Sequence, residues 1–308
     1  MTSSMNDLPT ERIDAALQDL DLRSNSEILH TLLDSQQQAL DAVRLAIEKM
    51  DEAIHKAAFR LGESSQGRLV MVGAGASGRL AVQDGAELWP TFGWPHERLL
   101  CCMAGGPDAL VKSIEGVEDD AAAAQALVAE YGISDSDVVI AVAASGRSPW
   151  TCTWLEDASK AGALCIAMAN NRNTRLLELA ECPLLLDTGA EVLAGSTRMA
   201  AGTAQKIALN LFSTALMIRL NRTYGNLMVD MAAVNTKLDQ RRIRMLKSIL
   251  PALSDQQASV AVQQANGWVK LAALIASGDS PDQARLRLDQ HAGSLRSALL
   301  SIHQQSKP

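Results

Sequence analysis

The stretch RLVMVGAGASGRLAVQDGAEL (68–88) decides the fold class. Leu69 to Val72 is a short apolar run without alternation, which reads as a strand buried on both faces, as in a parallel sheet. A Gly/Ser loop follows, and a helix is expected from about Ser77. The pattern recurs downstream. LLCCMAG (99–105) reads as a second buried strand, and DDAAAAQALVAEYG (119–132) as a helix stopped at Gly132. DVVIAVAASGRSP (137–149) is a third strand running into another Ser/Gly loop. Pro149 fits the first turn of a helix ending near Gly162. ALCIAMAN (163–170), NTRLLELAE (173–181) and CPLLLDT (182–188) read as strand, short helix and strand. This alternation predicts an α/β layered fold, a parallel sheet flanked by helices.

Ahead of that block, Ile28, Leu29, Leu32, Leu33, Leu40, Val43, Ile47, Met50 and Ile54 recur at threes and fours. They predict an amphipathic helix from Ser26, read as its N-cap, to about Leu61, with one interruption. Beyond it, GSTRMAAGTAQK (195–206) opens a helix to about Leu220, and 226–308 shows helical periods punctuated by Pro251 and GDSP (278–281). The expected organisation is an extended polar arm over 1–25, an α/β domain with its leading helix over 26–248, and a small helical C-terminal subdomain over 249–308.

Composition narrows the function classes. The chain has 308 residues, with 28 Lys and Arg against 35 Asp and Glu, a formal charge of -7. That balance argues against a nucleic-acid coat or a membrane-surface protein, both of which need a basic face. No stretch approaches the ~20 apolar residues of a membrane span. The first 20 residues lack the basic and apolar regions of a secretory signal. Five cysteines, an odd number without a CxxC pair, point to a reducing compartment and a cytoplasmic protein. Cys101, Cys102, Cys152, Cys165 and Cys182 read as buried small hydrophobes, and with no HxxxH spacing a zinc site is not expected.

Two strands end in loops rich in Gly and hydroxyls, GAGASG (73–78) and ASGRSP (144–149). A strand feeding a helix through such a loop exposes free N–H groups at the positive end of the helix dipole. At the carboxyl ends of parallel strands, two such loops suggest a phosphate pocket. GSTRM (195–199) repeats the chemistry. Gly73, Gly75 and Gly78 also fit G-x-G-x-x-G, but Glu97 precedes the next strand where a dinucleotide site wants an acid at its end. Glu87 is followed by Leu88-Trp89-Pro90; desolvation there would favour its protonated form and suit general acid–base work. Glu118 lies in SIEGVEDD and on spacing alone reads as part of a solvated acidic helix start.

Together, GAGASGRLAVQDGAELWPTFG (73–93), MAGGPDALVKSIEGVEDD (103–120), VAASGRSP (142–149), EVLAGSTRMAAGTAQK (191–206) and NLMVDMAAVNTKL (226–238) closely resemble the N-acetylmuramic acid 6-phosphate etherases, which are sugar-isomerase (SIS) domain proteins. The resemblance runs from about residue 26 to the end of the sequence, and the helical C-terminus looks like that family's small subdomain. It implies loss of the D-lactyl ether at C3, leaving N-acetylglucosamine 6-phosphate and D-lactate, by elimination and then hydration. No redox cofactor or metal is needed. The family's two catalytic carboxylates fall on Glu87, as acid toward the lactyl oxygen, and Glu118, as base at C2, with environments that hold one protonated and one ionised. Phosphate binding by SIS loops falls on Ser77, Ser145 and Ser148, and Ser196 and Thr197 join the sugar pocket. Arg147 or Arg198 could contact the phosphate or the lactyl carboxylate. A homodimer is implied as well.

The sequence departs from the family pattern in places. Ala76 stands where Thr is common, DGAELWPTFG replaces DASECPPTFG, and Ala200 replaces the Lys of STRMK. Two other readings share the fold: a sugar-phosphate-binding regulator without turnover, and an aldose–ketose isomerase.

Overall fold

The computed structural model describes residues 8–231 and 237–305. Five short parallel strands, β1 (Leu69–Gly73), β2 (Leu99–Met103), β3 (Val138–Val142), β4 (Leu164–Ala169) and β5 (Cys182–Leu185), form one sheet in the order β2-β1-β3-β4-β5. β1, β3 and β4 are buried along their whole length, which is why they read as unbroken apolar runs. Val70, Val72, Val139, Ala141, Cys165 and Ala167 point to one face. They pack there with residues of α4 (Ala121–Glu130), α5 (Pro149–Lys160) and α6 (Arg175–Leu179), among them Trp150, Trp154 and Leu155. The other face is covered by α1 (Asn25–Glu63) along β3–β5 and by α2 (Gly75–Ala86) over β1 and β2. β2 is an edge strand, so Cys101 is exposed, against the expectation that every cysteine is buried; the other four are buried.

α1 is one unbroken helix of 39 residues. Its N-cap is Ser24 and not Ser26, because only Ser24 has a glutamate three residues on: Ser24 and Glu27 form a reciprocal capping box. The expected interruption is absent. Ser35 turns its hydroxyl onto the Leu32 carbonyl at 2.7 Å and is buried in that form. The N-terminal segment is not extended. It makes 3-10 turns at Pro9–Glu11, Ala15–Leu17 and Leu20–Leu22, and Leu8 and Thr10 are buried. Residues 1–7 of the expected arm lie outside the described residues.

The chain divides into two compact units. One holds the sheet and runs to Ala86 and then from His96 to Leu216. The other combines Glu87–Pro95 with Met217 onward. Its core joins α8 (Lys237–Ile249) to α9 (Asp255–Gln264), α10 (Val269–Ala276), α11 (Pro281–Gln290) and α12 (Leu295–Gln305). Met245, Leu246 and Ile249 of α8 are core residues there, so this unit starts earlier than the residue 249 suggested by Pro251. Capping boxes at Ser254–Gln257 and Ser280–Gln283 start α9 and α11.

Candidate active site

The strand order reverses direction between β1 and β3. From β1 the chain crosses to β2 on one side; from β3 it crosses to β4 on the other. The loops leaving these adjacent strands diverge, and the space beyond their carboxyl ends is the usual ligand position in such sheets. Both Gly/Ser loops flank it. After β1, α2 starts almost at once, and the approach is very close. A Cβ on Gly73 would lie 2.8 Å from the Gly78 Cα, and one on Gly78 2.6 Å from the Gly73 oxygen. The G-x-G-x-x-G spacing therefore packs helix against strand. Glu97 sits in a 3-10 turn ahead of β2, leaving the dinucleotide reading without its acid. Ser77, in the first turn of α2, is 8% exposed.

After β3, the turn at Gly146 is closed by its N–H on the Ala143 carbonyl at 3.0 Å. The Ser145 hydroxyl accepts the Arg147 N–H at 3.2 Å. Ser148 is the N-cap of α5. Its hydroxyl accepts from the Thr151 N–H and donates to the Glu118 carbonyl at 3.1 Å. The structure thus brings Glu118 to the second loop. Glu118 stands in a 3-10 turn (Val117–Asp119) that follows Gly116 in the left-handed region, with an exposed side chain. The far end of the same excursion is pinned by Arg79 of the GASGR segment, which donates to the carbonyls of Ala109, Leu110 and Lys112 at 3.0, 3.2 and 2.9 Å.

Ser196 and Thr197 occupy turns just before α7 (Ala200–Arg219) and are half-buried. The segment is closed by Glu191, 2% exposed, whose two carboxylate oxygens accept the N–H groups of Ala200 and Ala201, each at 2.9 Å. Ala200 is itself buried at the head of the helix, so a side chain there faces the interior beside Glu191. Arg198 is exposed and Arg147 half-buried.

Sequence reasoning missed the residues that tie these loops together. Asn170 and Asn171, fully buried, follow β4 directly. The Asn171 side chain donates to Ala144 of the second loop at 2.9 Å and to the Thr10 hydroxyl at 3.1 Å. The Thr10 carbonyl in turn accepts the Gly195 N–H at 2.9 Å. Asn170 donates to the Leu186 carbonyl at 2.8 Å and accepts from Gln205 of α7 at 2.8 Å. A pair of amides closing an otherwise apolar strand was the signal available.

Glu87 belongs to the other unit. It precedes α3 (Leu88–Phe92) and is exposed, while Leu88 beside it is buried. Of the apolar neighbours, only Leu88 turns inward; Trp89 is half-buried and Pro90 is exposed. Burial pushes the Cys102 and Cys165 thiols up to about 12 and Cys152 up to about 11, which removes them as nucleophiles at neutral pH.

Against known proteins, the chain is 43% identical over 291 residues to the N-acetylmuramic acid 6-phosphate etherase of Deinococcus radiodurans, covering 94% of each sequence. It is 40% identical over 295 residues to that of Geobacillus thermodenitrificans, covering 95% of this chain and 98% of the relative. It belongs to the N-acetylmuramic acid 6-phosphate etherase family. A family model described as the glucokinase regulatory protein N-terminal SIS domain matches residues 47–159. Among solved structures, a phosphoheptose isomerase from Francisella tularensis is similar with a TM-score of 0.46 at 18% identity, over 65% of this chain and all of the other. The sugar isomerase domain of an RpiR transcription factor from Sphaerobacter thermophilus reaches 0.43 at 17%, over 66% of this chain and 92% of the other.

Proposed function

We propose that this etherase-family protein cleaves the D-lactyl ether of N-acetylmuramic acid 6-phosphate to N-acetylglucosamine 6-phosphate and D-lactate. The observation that carries the reading is identity of about 40% to relatives of that name across nearly their full length. The open-chain aldehyde acidifies the C2 proton. Glu118 takes that proton, the C2–H electrons form a C2=C3 double bond, and the C3–O bond breaks. The lactyl oxygen leaves with a proton from Glu87. Water, deprotonated by Glu87, then adds at C3 as C2 is reprotonated, so one water is consumed and no electrons are exchanged. Ser77, Ser145, Ser148 and the loop N–H groups would hold the phosphate, and Ser196 and Thr197 the sugar. The Ser148 bond to the Glu118 carbonyl supports placing the C2 base beside this loop; to reach the phosphate, the hydroxyl would turn its one proton away from that carbonyl.

The test is turnover in heavy-oxygen water, followed by mass spectrometry. Unlabelled D-lactate with one solvent oxygen at C3 of the sugar is expected. Sugar-phosphate binding without lactate release would favour the regulator, the reading that the partial match to a glucokinase regulatory domain keeps open. The protein is also proposed to be a cytoplasmic homodimer. Five cysteines without disulfides suit a reducing compartment. Leu29, Leu33, Leu40 and Ile47 form an exposed apolar stripe along α1 that suits a second copy. Leu33→Asp combined with Leu40→Asp should give a monomer in light scattering, and an unchanged mass would remove this face from the interface.

A further inference from the structure

Resting on the reading of Glu87 as the acid, we infer that a buried ion pair in the C-terminal unit, Asp230 with Lys270, is a positioning device for the segment that carries Glu87. Glu87–Pro95 packs as part of that unit. α3 is a single turn, too short to hold a conformation alone. It ends at Gly93, in the left-handed region at φ 59. A Cβ at Gly93 would lie 2.3 Å from the Asp230 carbonyl oxygen, so the two backbones are in direct contact. The Asp230 carboxylate, 5% exposed, accepts from Lys270 Nζ at 2.5 Å. Lys270, also 5% exposed, donates to the Asn221 carbonyl at 2.7 Å. Arg222, next in the chain to Asn221, lies 3.7 Å from the same carboxylate. It donates to the Gly93 carbonyl at 3.3 Å and sits over the buried Trp94 ring at 5.4 Å.

The end of α3 is therefore gripped from two sides, by the Asp230 backbone and by Arg222. The ion pair fixes the spacing between those grips. Burial raises the Asp230 carboxyl and lowers the Lys270 ammonium from their ordinary ranges, each opposed by its partner. Two desolvated charges are a poor way to gain stability, because apolar residues of equal volume usually do as well. What the pair adds is direction: it fixes where Asp230, and with it Gly93, can sit.

The reaction offers a readout that separates positioning from folding. Glu118 alone suffices to exchange the C2 proton with solvent, whereas lactate departure also needs Glu87. In the full-length protein, Lys270→Met should lower kcat for lactate release by roughly 10- to 100-fold, the scale of an ångström-level misplacement. KM and the rate of C2 deuterium uptake into recovered substrate should stay within about threefold, a margin worth less than ~1 kcal/mol. Amide exchange should rise in 87–95 and stay unchanged in β3. Arg222→Lys, at a less buried position, should show the same split more weakly and serves if Lys270→Met does not fold. Equal loss of lactate release and C2 exchange in a folded variant, or wild-type lactate release in both, overturns the inference. Glu87→Gln is the control. If it releases lactate at the wild-type rate, the reading of Glu87 itself fails; if it does not and both clamp variants are normal, only the clamp fails.

Discussion

Glu191→Gln is the sharpest test of how the third loop is built. The wild-type carboxylate accepts two N–H groups at 2.9 Å at the start of a 20-residue helix and is 2% exposed. Glutamine keeps the shape but offers one oxygen. The other N–H then faces an amide NH2, donor against donor, with no water to replace the lost bond. A hydrogen bond to a charged group contributes about 1.5–3 kcal/mol, and an unsatisfied buried amide costs about 1–3 kcal/mol. Allowing for relaxation, the local loss should be ~2–4 kcal/mol, or roughly 30- to 700-fold in the opening equilibrium of the segment.

Native-state amide exchange reads this directly. Protection should drop at Ala200 and Ala201 by that factor and hardly change in β3 or α10, because local opening at the head of α7 does not require either to open. Because Glu191 closes the loop carrying Ser196 and Thr197, KM for the sugar phosphate should rise about tenfold while kcat changes less, the pattern of lost uniform binding. Protection at Ala200 within threefold of wild type, with KM unchanged, would refute the idea that this carboxylate shapes the loop.

Arg79→Met removes three bonds to the carbonyls of Ala109, Leu110 and Lys112 and should cut kcat about tenfold while α2 keeps its protection, measured by steady-state kinetics with exchange mapping. Asp137 is buried, yet bonds from Arg68 and from the Ser134 N–H outweigh that desolvation and hold its carboxyl below the ordinary range. Its stabilisation is complete above the unfolded-state pKa near 3.9 and is lost as pH falls through the lower folded value. Asp137→Asn should therefore cost about 1.5–3 kcal/mol in urea unfolding at pH 6, with the gap to wild type closing below pH 4. Among the cysteines, the exposed Cys101 should be alkylated first but slowly at pH 7, since partial desolvation by the protein around it, with the Asp84 charge, holds the thiol up at about 11; all five should react after unfolding, as counted by mass spectrometry.

The sheet was legible because strands buried on both faces cannot hide their composition. Leu69–Gly73, Val138–Val142 and Leu164–Ala169 stand out as apolar runs between Gly-rich turns. The start of α1 was misread by two residues because Ser24 and Ser26 are equal by propensity, and only the partner at the third position separates them. The hydroxyl loops were legible for the same local reason: strand, glycine, serine and helix follow within about ten residues. What holds those loops was not. Thr10 and Asn171 are 161 positions apart and Asp230 and Lys270 are 40 apart, and no local periodicity marks either pair. A buried polar residue is visible in sequence only as an oddity, such as Asn170-Asn171 after ALCIAMA, and its partner is invisible.

Two of the departures from the family pattern, Ala76 and Ala200, bear differently on this framework. Ala76 lies in the first turn of α2, one residue before Ser77, and its cost is one hydroxyl donor in the loop proposed to hold the phosphate. Ala200 is buried beside Glu191, whose carboxylate is already satisfied by two backbone N–H groups. A lysine at 200 would start from the interior and meet that carboxylate before it met solvent. The change is therefore read more naturally as a rearrangement around Glu191 than as the loss of a substrate contact. Restoring the family residue decides between them. If Ala200→Lys leaves KM unchanged but alters exchange at the head of α7, position 200 belongs to the scaffold. A tenfold gain in substrate affinity at unchanged helix protection would instead make it a substrate contact.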